Sequence, residues 1–347
     1  MIRVLIVEDS PVDQELLVHI LDADPELEVI AVVRSGEKAL SMVQQLQPDL
    51  ITMDIHMPGM NGYETTRSIM ENNPVPIIIV SGYFSSRDSD KIFRALDAGA
   101  LAIIKKPHGP GHPDYPTEAK ELIRTVKTMS EVKVVRRRPQ TTKAQATSVH
   151  TPMVKRSTSA IQLVVMGAST GGPAVFRQIL SSLPKDFAVP IIAVQHMTLG
   201  FMEGFVKWLA QTTGFPIHLA GHGDLLQPGH VYFAPDDRHL LVSKNHRLQL
   251  AGTSAENGMR PSVSILFRSV AETVGPHAAA VLLTGMGKDG AEELKLLKRI
   301  GALTLIQDQG SSVVYGMPGE ALKIDAADLV LPPDKIAVLL SQLVAQN

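Results

Sequence analysis

Short apolar runs rich in β-branched residues recur through the first third of the chain, at 3–7, 28–33, 50–53, 77–80 and 102–104. Runs of this length bounded by polar positions predict buried strands. Between them, segments such as Leu16 to Ala23 and Ala39 to Leu46 carry apolar residues at helical spacing. Strand–helix alternation repeated five times predicts a parallel, doubly wound (βα)5 α/β sheet with helices on both faces. A last helix is predicted near 117–131, and the first domain is assigned to residues 1–127. A second alternation starts at Ile161. Core strands are predicted at 163–166, 190–194, 279–283 and 303–306, and helices at 173–183, 201–211, 262–274 and 291–300. The stretch 217–251 is richer in short strands and turns, which predicts a hairpin insertion or a sheet edge. Residues 161–347 are therefore assigned to a second doubly wound α/β domain with a mostly parallel sheet.

Residues 128–160 break the pattern and are assigned to a flexible basic linker. From Val132 to Ala160 large apolar residues are few, and seven basic residues (Lys133, Arg136, Arg137, Arg138, Lys143, Lys155, Arg156) stand with no acidic one. That composition suits a solvated connection or a strip for an acidic partner. Over the whole chain, 33 Lys plus Arg nearly balance 35 Asp plus Glu, so no global field marks a nucleic-acid binder. Cysteine is absent, which removes disulfides and thiolate chemistry and fits a reducing compartment. No apolar run approaches the ~20 residues of a membrane span. A cytoplasmic protein without membrane insertion is expected.

The chemistry of the first domain gathers at the carboxyl ends of its predicted strands, where open α/β sheets place their sites. Glu8 and Asp9 end the first strand, Asp54 the third and Ser81 the fourth, and Lys106 follows the fifth. Converging carboxylates repel one another unless a cation joins them, and oxygen ligands point to Mg²⁺. An ion beside Asp54 can neutralise an incoming phosphoryl group while that carboxylate attacks it. Lys106 can then pair with the phosphate and the Ser81 hydroxyl can sense it. The pieces Val7-Glu8-Asp9-Ser10, Met53-Asp54-Ile55-His56-Met57-Pro58-Gly59-Met60-Asn61-Gly62, Val80-Ser81-Gly82 and Lys106-Pro107 resemble the response-regulator receiver family. The resemblance implies Asp54 phosphorylated by a histidine kinase, and Mg²⁺ held by Glu8, Asp9, Asp54 and the His56 backbone carbonyl. It also implies a cis Lys106–Pro107 bond. The His56 side chain is unusual at its position, and Ile103 stands where the family often has an aromatic residue.

In the second domain, Gly167-Ala168-Ser169-Thr170-Gly171-Gly172 follows a predicted strand and opens a helix. A Gly-rich phosphate loop is one reading, weakened by Ser169. A Gly-x-Ser-x-Gly nucleophile elbow is the other, with the helix N-terminus lending N–H groups to an oxyanion. A serine nucleophile needs a base oriented by an acid. His196 and Asp289 lie beyond the strand ends at 194 and 283, and His239 is a rival base. The chain order Ser, His, Asp differs from that of ordinary α/β-hydrolases, which predicts another topology with the same chemistry. His218 and His222, four apart, raise a weak zinc reading.

These motifs, with Gln195-His196-Met197, Val231-Tyr232-Phe233-Ala234-Pro235, Thr284-Gly285-Met286-Gly287-Lys288-Asp289-Gly290-Ala291 and Val314-Tyr315-Gly316-Met317-Pro318, resemble the chemotaxis protein-glutamate methylesterases, the CheB family. The resemblance implies Ser169 as nucleophile, His196 as general base and acid, and Asp289 as orienting carboxylate. Backbone near Thr170 and Met286 would shape the oxyanion site. Ser264 stands where the family usually has Asp. The implied substrate is methyl-esterified glutamate on the cytoplasmic helices of chemoreceptors, hydrolysed without a cofactor, with receptor glutamine as a second substrate. The alternatives are a phosphorylation-controlled receptor-binding module and a hydrolase of small esters.

Overall fold

A computed structural model describes residues 1–82, 89–132, 134 and 161–344, in two compact units, Met1–Ala144 and Gln145–Asn347. The basic residues of the expected linker lie outside the described residues.

The first unit alternates β1 (Ile2–Val7), α1 (Pro11–Asp22), β2 (Leu27–Val33), α2 (Gly36–Leu46), β3 (Leu50–Met53), α3 (Gly62–Asn72), β4 (Ile77–Ser81), α4 (Ser89–Ala98), β5 (Ala102–Lys105) and α5 (Tyr115–Ser130). All strand pairs are parallel, in the order β2-β1-β3-β4-β5. The apolar runs become strands because both sheet faces are covered: Val4 to Ile6, Leu50, Ile51 and Ile77 to Ile79 are fully buried. Local signals start the helices. Ser10 and Ser35 cap α1 and α2, and Asn61 with Glu64 forms a reciprocal capping box on α3. Helix α5 runs to Ser130 with Met129 buried, past the expected boundary at 127.

The second unit runs β6 (Leu163–Ala168), α6 (Gly172–Ser182), β7 (Ile191–Gln195), α7 (Met202–Thr213), β8 (Ile217–Leu219), β9 (Val231–Phe233), β10 (His239–Val242), β11 (Leu248–Ala251), α8 (Val263–Thr273), β12 (Ala278–Leu282), α9 (Ala291–Arg299), β13 (Leu303–Gln307), α10 (Met317–Lys323), β14 (Leu329–Leu331) and α11 (Pro333–Val344). Seven strands form one parallel sheet, β14-β13-β12-β6-β7-β9-β8. From β6 the chain passes to β7, then to the edge strand β8 and back to β9 between them, while from β12 it passes the other way through β13 to β14, so the switch point falls between β6 and β12. Edge-to-face rings of Phe176, Phe205 and Phe233 pack one part of the core, with centroids 5.0 and 5.1 Å from Phe233. Only part of 217–251 is a hairpin. β8 and β9 extend the parallel sheet, while β10 and β11 pair antiparallel as a separate ribbon.

The Lys106–Pro107 bond is not cis, contrary to expectation. Among the described residues Arg260–Pro261 is the one cis peptide. The trans isomer is the lower in energy by about 0.5–1 kcal/mol, and it already lets Lys106 reach its carboxylates.

Candidate functional site

In the first unit, neighbouring strands β1 and β3 bring Glu8, Asp9 and Asp54 to one sheet edge. One oxygen from each lies within 4.8 Å of the others, and Glu8 and Asp54 are buried. The Asp54 carboxylate accepts the Ile55 N–H at 2.7 Å. From the end of β5, Lys106 Nζ reaches Glu8 at 2.7 Å, Asp13 at 2.8 Å and Asp54 at 3.3 Å. One ammonium therefore serves a surplus of carboxylates. Burial, and then the Asp54 charge, push Glu8 up to about 7 against the pull of Lys106. Burial raises Asp54 as well, again against Lys106. Burial works to lower Lys106, but its hydrogen bonds to Asp13 and Glu8 hold it above its ordinary value.

Oxygen donors with excess negative charge fit a hard divalent cation, so the donor set matches Mg²⁺ at Glu8, Asp9 and Asp54. The buried Ser81 Oγ, at the end of β4, has no hydrogen-bond partner among the described residues. Leaving such a buried hydroxyl without a partner costs about 1–3 kcal/mol. Gly62 closes the loop after Asp54: a Cβ there would come 1.9 Å from the Asp54 carbonyl oxygen.

In the second unit, Ser169 follows β6, His196 follows β7 and Asp289 lies beyond β12, so adjacent parallel strands deliver all three to one edge. His196 Nε2 lies 2.9 Å from Asp289 Oδ2. Its Nδ1 is buried with no hydrogen-bond partner among the described residues, and no hydrogen bond joins it to Ser169 in this state. Asp289 is held from every side. Its oxygens accept Val263 N–H at 2.6 Å, Ser262 Oγ–H at 2.8 Å, Ser264 N–H at 3.1 Å and an Asn257 N–H at 3.4 Å. Ser262, Val263 and Ser264 belong to the cap and first turn of α8, whose dipole favours an anion there, and Asn257 reaches in from the preceding loop. Burial works to raise Asp289, yet His196 and these hydrogen bonds hold it well below the usual carboxylate range.

Further side chains tie the loops together. Gln195, buried at the end of β7, donates to the carbonyls of Ser169 (2.8 Å) and His196 (2.7 Å). Thr284 Oγ1 donates toward the Thr170 carbonyl (3.0 Å) and accepts Val314 N–H (3.0 Å), while the Thr284 carbonyl accepts Ser169 N–H (3.0 Å). The turns carrying Thr170 and Met286 are thereby joined, and neither N–H donates a hydrogen bond among the described residues. Gly285 lies against the Ser169 loop, where a Cβ would come 2.6 Å from Ser169 Cβ.

The competing readings fare less well. A phosphate loop needs free amides, but those of Ser169 and Gly172 are already bonded to Thr284 O and Ser169 O. His239 is fully buried with both ring nitrogens engaged, by Ser254 O and Ser262 N–H, which makes it a structural lock. His218 bonds His230, His222 bonds Leu250 N–H, and neither joins a metal-like cluster among the described residues. Asp13, Gln195, Ser262 and Thr284 support the sites through contacts that their sequence surroundings do not mark. The Pro-Ser step before α8 was the one local signal, a helix cap.

Strand order, strand-end chemistry and the Gly-x-Ser-x-Gly turn define a phosphoacceptor-type α/β unit followed in the same chain by an α/β unit of serine-hydrolase type. The profile described as response regulator receiver domain matches residues 4–112, and that described as CheB methylesterase matches residues 164–340. The chain belongs to the CheB methylesterase family. A protein-glutamate methylesterase/protein-glutamine glutaminase of Nitrosospira multiformis is 52% identical, covering 100% of this chain and 98% of that protein. One from Syntrophus aciditrophicus is 53% identical over 99% of this chain and 98% of its own. Among solved structures, the CheB methylesterase catalytic domain of Thermotoga maritima matches at 37% identity with a TM-score of 0.51, covering 53% of this chain and 98% of that domain.

Proposed function

We propose that this chain hydrolyses methyl-esterified glutamate side chains on the cytoplasmic helices of chemoreceptors, releasing methanol, and that phosphorylation of Asp54 by a histidine kinase controls the reaction. The observation that carries the reading is the 2.9 Å His196–Asp289 pair, held by the first turn of α8 beside the Ser169 loop. Ser169 is the nucleophile. With His196 Nε2–H donated to Asp289, Nδ1 is the nitrogen that takes the Ser169 proton. Ser169 Oγ bonds to the ester carbonyl carbon, and the N–H groups of Thr170 and Met286 receive the oxyanion. The imidazolium returns its proton to the departing methoxide. Water then attacks the acyl-enzyme, giving its proton to His196; the bond to Ser169 Oγ breaks as the imidazolium returns that proton to it, and free glutamate leaves. Glutamine passes through the same intermediate with ammonia as leaving group, so deamidation belongs to the same site. No cofactor enters these steps.

In the first unit, Glu8, Asp9, Asp54 and the His56 carbonyl would hold Mg²⁺, which when bound offsets the charge of the incoming phosphoryl group. Asp54 supplies the attacking oxygen, Lys106 pairs with the phosphate and Ser81 accepts the hydrogen-bonding role its buried hydroxyl lacks. Among the described residues no helix is long and apolar enough to cross a membrane, which suits an enzyme acting on receptor tails in the cytoplasm.

The test is methanol release from methylated receptors of the same cell. Ser169→Ala should abolish it, and Asp54→Ala should leave it low and unresponsive to phosphodonor. Unchanged turnover in the Ser169→Ala protein would sink the proposal. Failure of a fluorophosphonate to label Ser169 would favour a receptor-binding module instead.

A further inference from the structure

We infer that His108, His112 and Asp114 form a second cation site, separate from the Glu8–Asp9–Asp54 carboxylates and suited to a divalent transition-metal ion such as Zn²⁺. The three residues occupy the connection between β5 and α5, and one ligand atom from each lies within 4.8 Å of the others. His112 Nδ1 and Asp114 Oδ2 are 3.7 Å apart with the ring in its present rotamer. Glu118, in the first turn of α5, grips His108 twice. Its carboxylate accepts the His108 backbone N–H at 2.8 Å and lies 2.9 and 3.0 Å from Nδ1. A ring that donates Nδ1–H to a carboxylate keeps its Nε2 lone pair for a metal, the outer-shell arrangement that orients metal-bound histidines.

The backbone is prepared as well. Pro107, Pro110, Pro113 and Pro116 punctuate the segment, so little chain entropy is left to lose when ligands are fixed. Turns close it further, through His112 N–H to Gly109 O (3.2 Å) and Tyr115 N–H to His112 O (3.1 Å). The two imidazoles are stacked, with centroids 3.8 Å apart and planes 10° from parallel. One ring must therefore turn for both to face a single ion. His112 is the ring that turns: it is 42% exposed and forgoes one bond, from Asp114 N–H to its Nδ1. Exposed rotamers of this kind exchange on the ps–ns scale. Two imidazoles and one carboxylate select a borderline ion over Mg²⁺, and water fills the remaining position.

The full-length chain, with Mg²⁺ in excess to occupy the other carboxylates, is titrated with Zn²⁺ against a chromogenic chelator. One equivalent should bind. Affinity should fall by about tenfold or more in His108→Ala and in His112→Ala, and hold in Asp54→Asn and His218→Ala. Co²⁺ should give a visible d–d band that the His112→Ala protein lacks. Equal Zn²⁺ uptake by the wild type and the His108→Ala/His112→Ala double variant overturns the site. So does loss of binding in His218→Ala, which would move the ion to the His218–His230 pair.

Discussion

Asp54 and Asp289 are both buried carboxylates at the carboxyl edge of a parallel sheet, and their surroundings treat them in opposite ways. Around Asp289 there are more donors than the two oxygens strictly need, and ionisation is favoured despite burial. Around Asp54 a single ammonium is divided among several acids, and burial prevails. The first arrangement keeps a charge permanently in place to orient an imidazole. The second is short of positive charge, which suits the ion binding and phosphoryl transfer proposed for Asp54. Complete satisfaction marks a fixed part and partial satisfaction marks a receiving one.

Exchanging the charge tests that contrast most severely at Asp289. Asp289→Asn should lower turnover about 10³–10⁴-fold by upsetting the His196 tautomer, and should also destabilise the second unit. Asp54→Asn should do the reverse to its own unit, stabilising it by removing like-charge repulsion. Unfolding curves that move the same way for both variants would break the comparison.

A pH titration of stability follows from the same opposition. Glu8 has its folded-state pKa raised from 4.5 to about 7, so its contribution is full below 4.5 and lost as pH rises through 7. Without Mg²⁺ the loss should be on the order of 3 kcal/mol, and saturating Mg²⁺ should remove most of it. Asp289, lowered from 3.8, contributes stability above that value that is lost as pH falls. Denaturant melts at several pH values, with and without Mg²⁺, would separate the two signs.

Smaller effects test the supports. Thr284→Val removes the hydroxyl joining the Thr170 and Met286 turns, and should cut kcat about tenfold to a hundredfold with little change in KM. A change confined to KM would make Thr284 a substrate contact instead. Ser264 Oγ accepts Gly290 N–H at 2.9 Å, so Ser264→Ala should cost about 1 kcal/mol of stability and leave turnover within a few-fold.

Strands were the most legible part of the chain. Buried parallel strands read as unbroken apolar runs, and the predicted run at 50–53 coincides with β3. Ser169, His196, Asp289, Glu8, Asp54 and Lys106 could be proposed because strand ends in an open sheet converge without knowledge of side-chain packing. The cage around Asp289 could not. Asn257 and Ser262 meet Asp289 across 32 and 27 residues of sequence, and nothing local announces such a meeting. The separation of β8 and β9 from the β10–β11 ribbon was hidden for a related reason: three-residue strands carry too little pattern to show which partner they join. His239 could rival His196 in sequence because both are histidines near turns. The bonds engaging both His239 nitrogens, to Ser254 O and Ser262 N–H, are tertiary facts.

The absence of a side chain at Gly285 bears on how related genes are judged. The space an alanine methyl would need is filled by the Cβ of Ser169, 2.6 Å from where that methyl would sit. A lineage could thus silence the esterase by one conservative-looking change at 285 while keeping Ser169, His196 and Asp289 intact. Inspection of the three residues proposed to react would pass such a descendant as active. Catalytic loss in paralogues of this chain would accordingly be recorded in a glycine before it is recorded in the proposed nucleophile, Ser169.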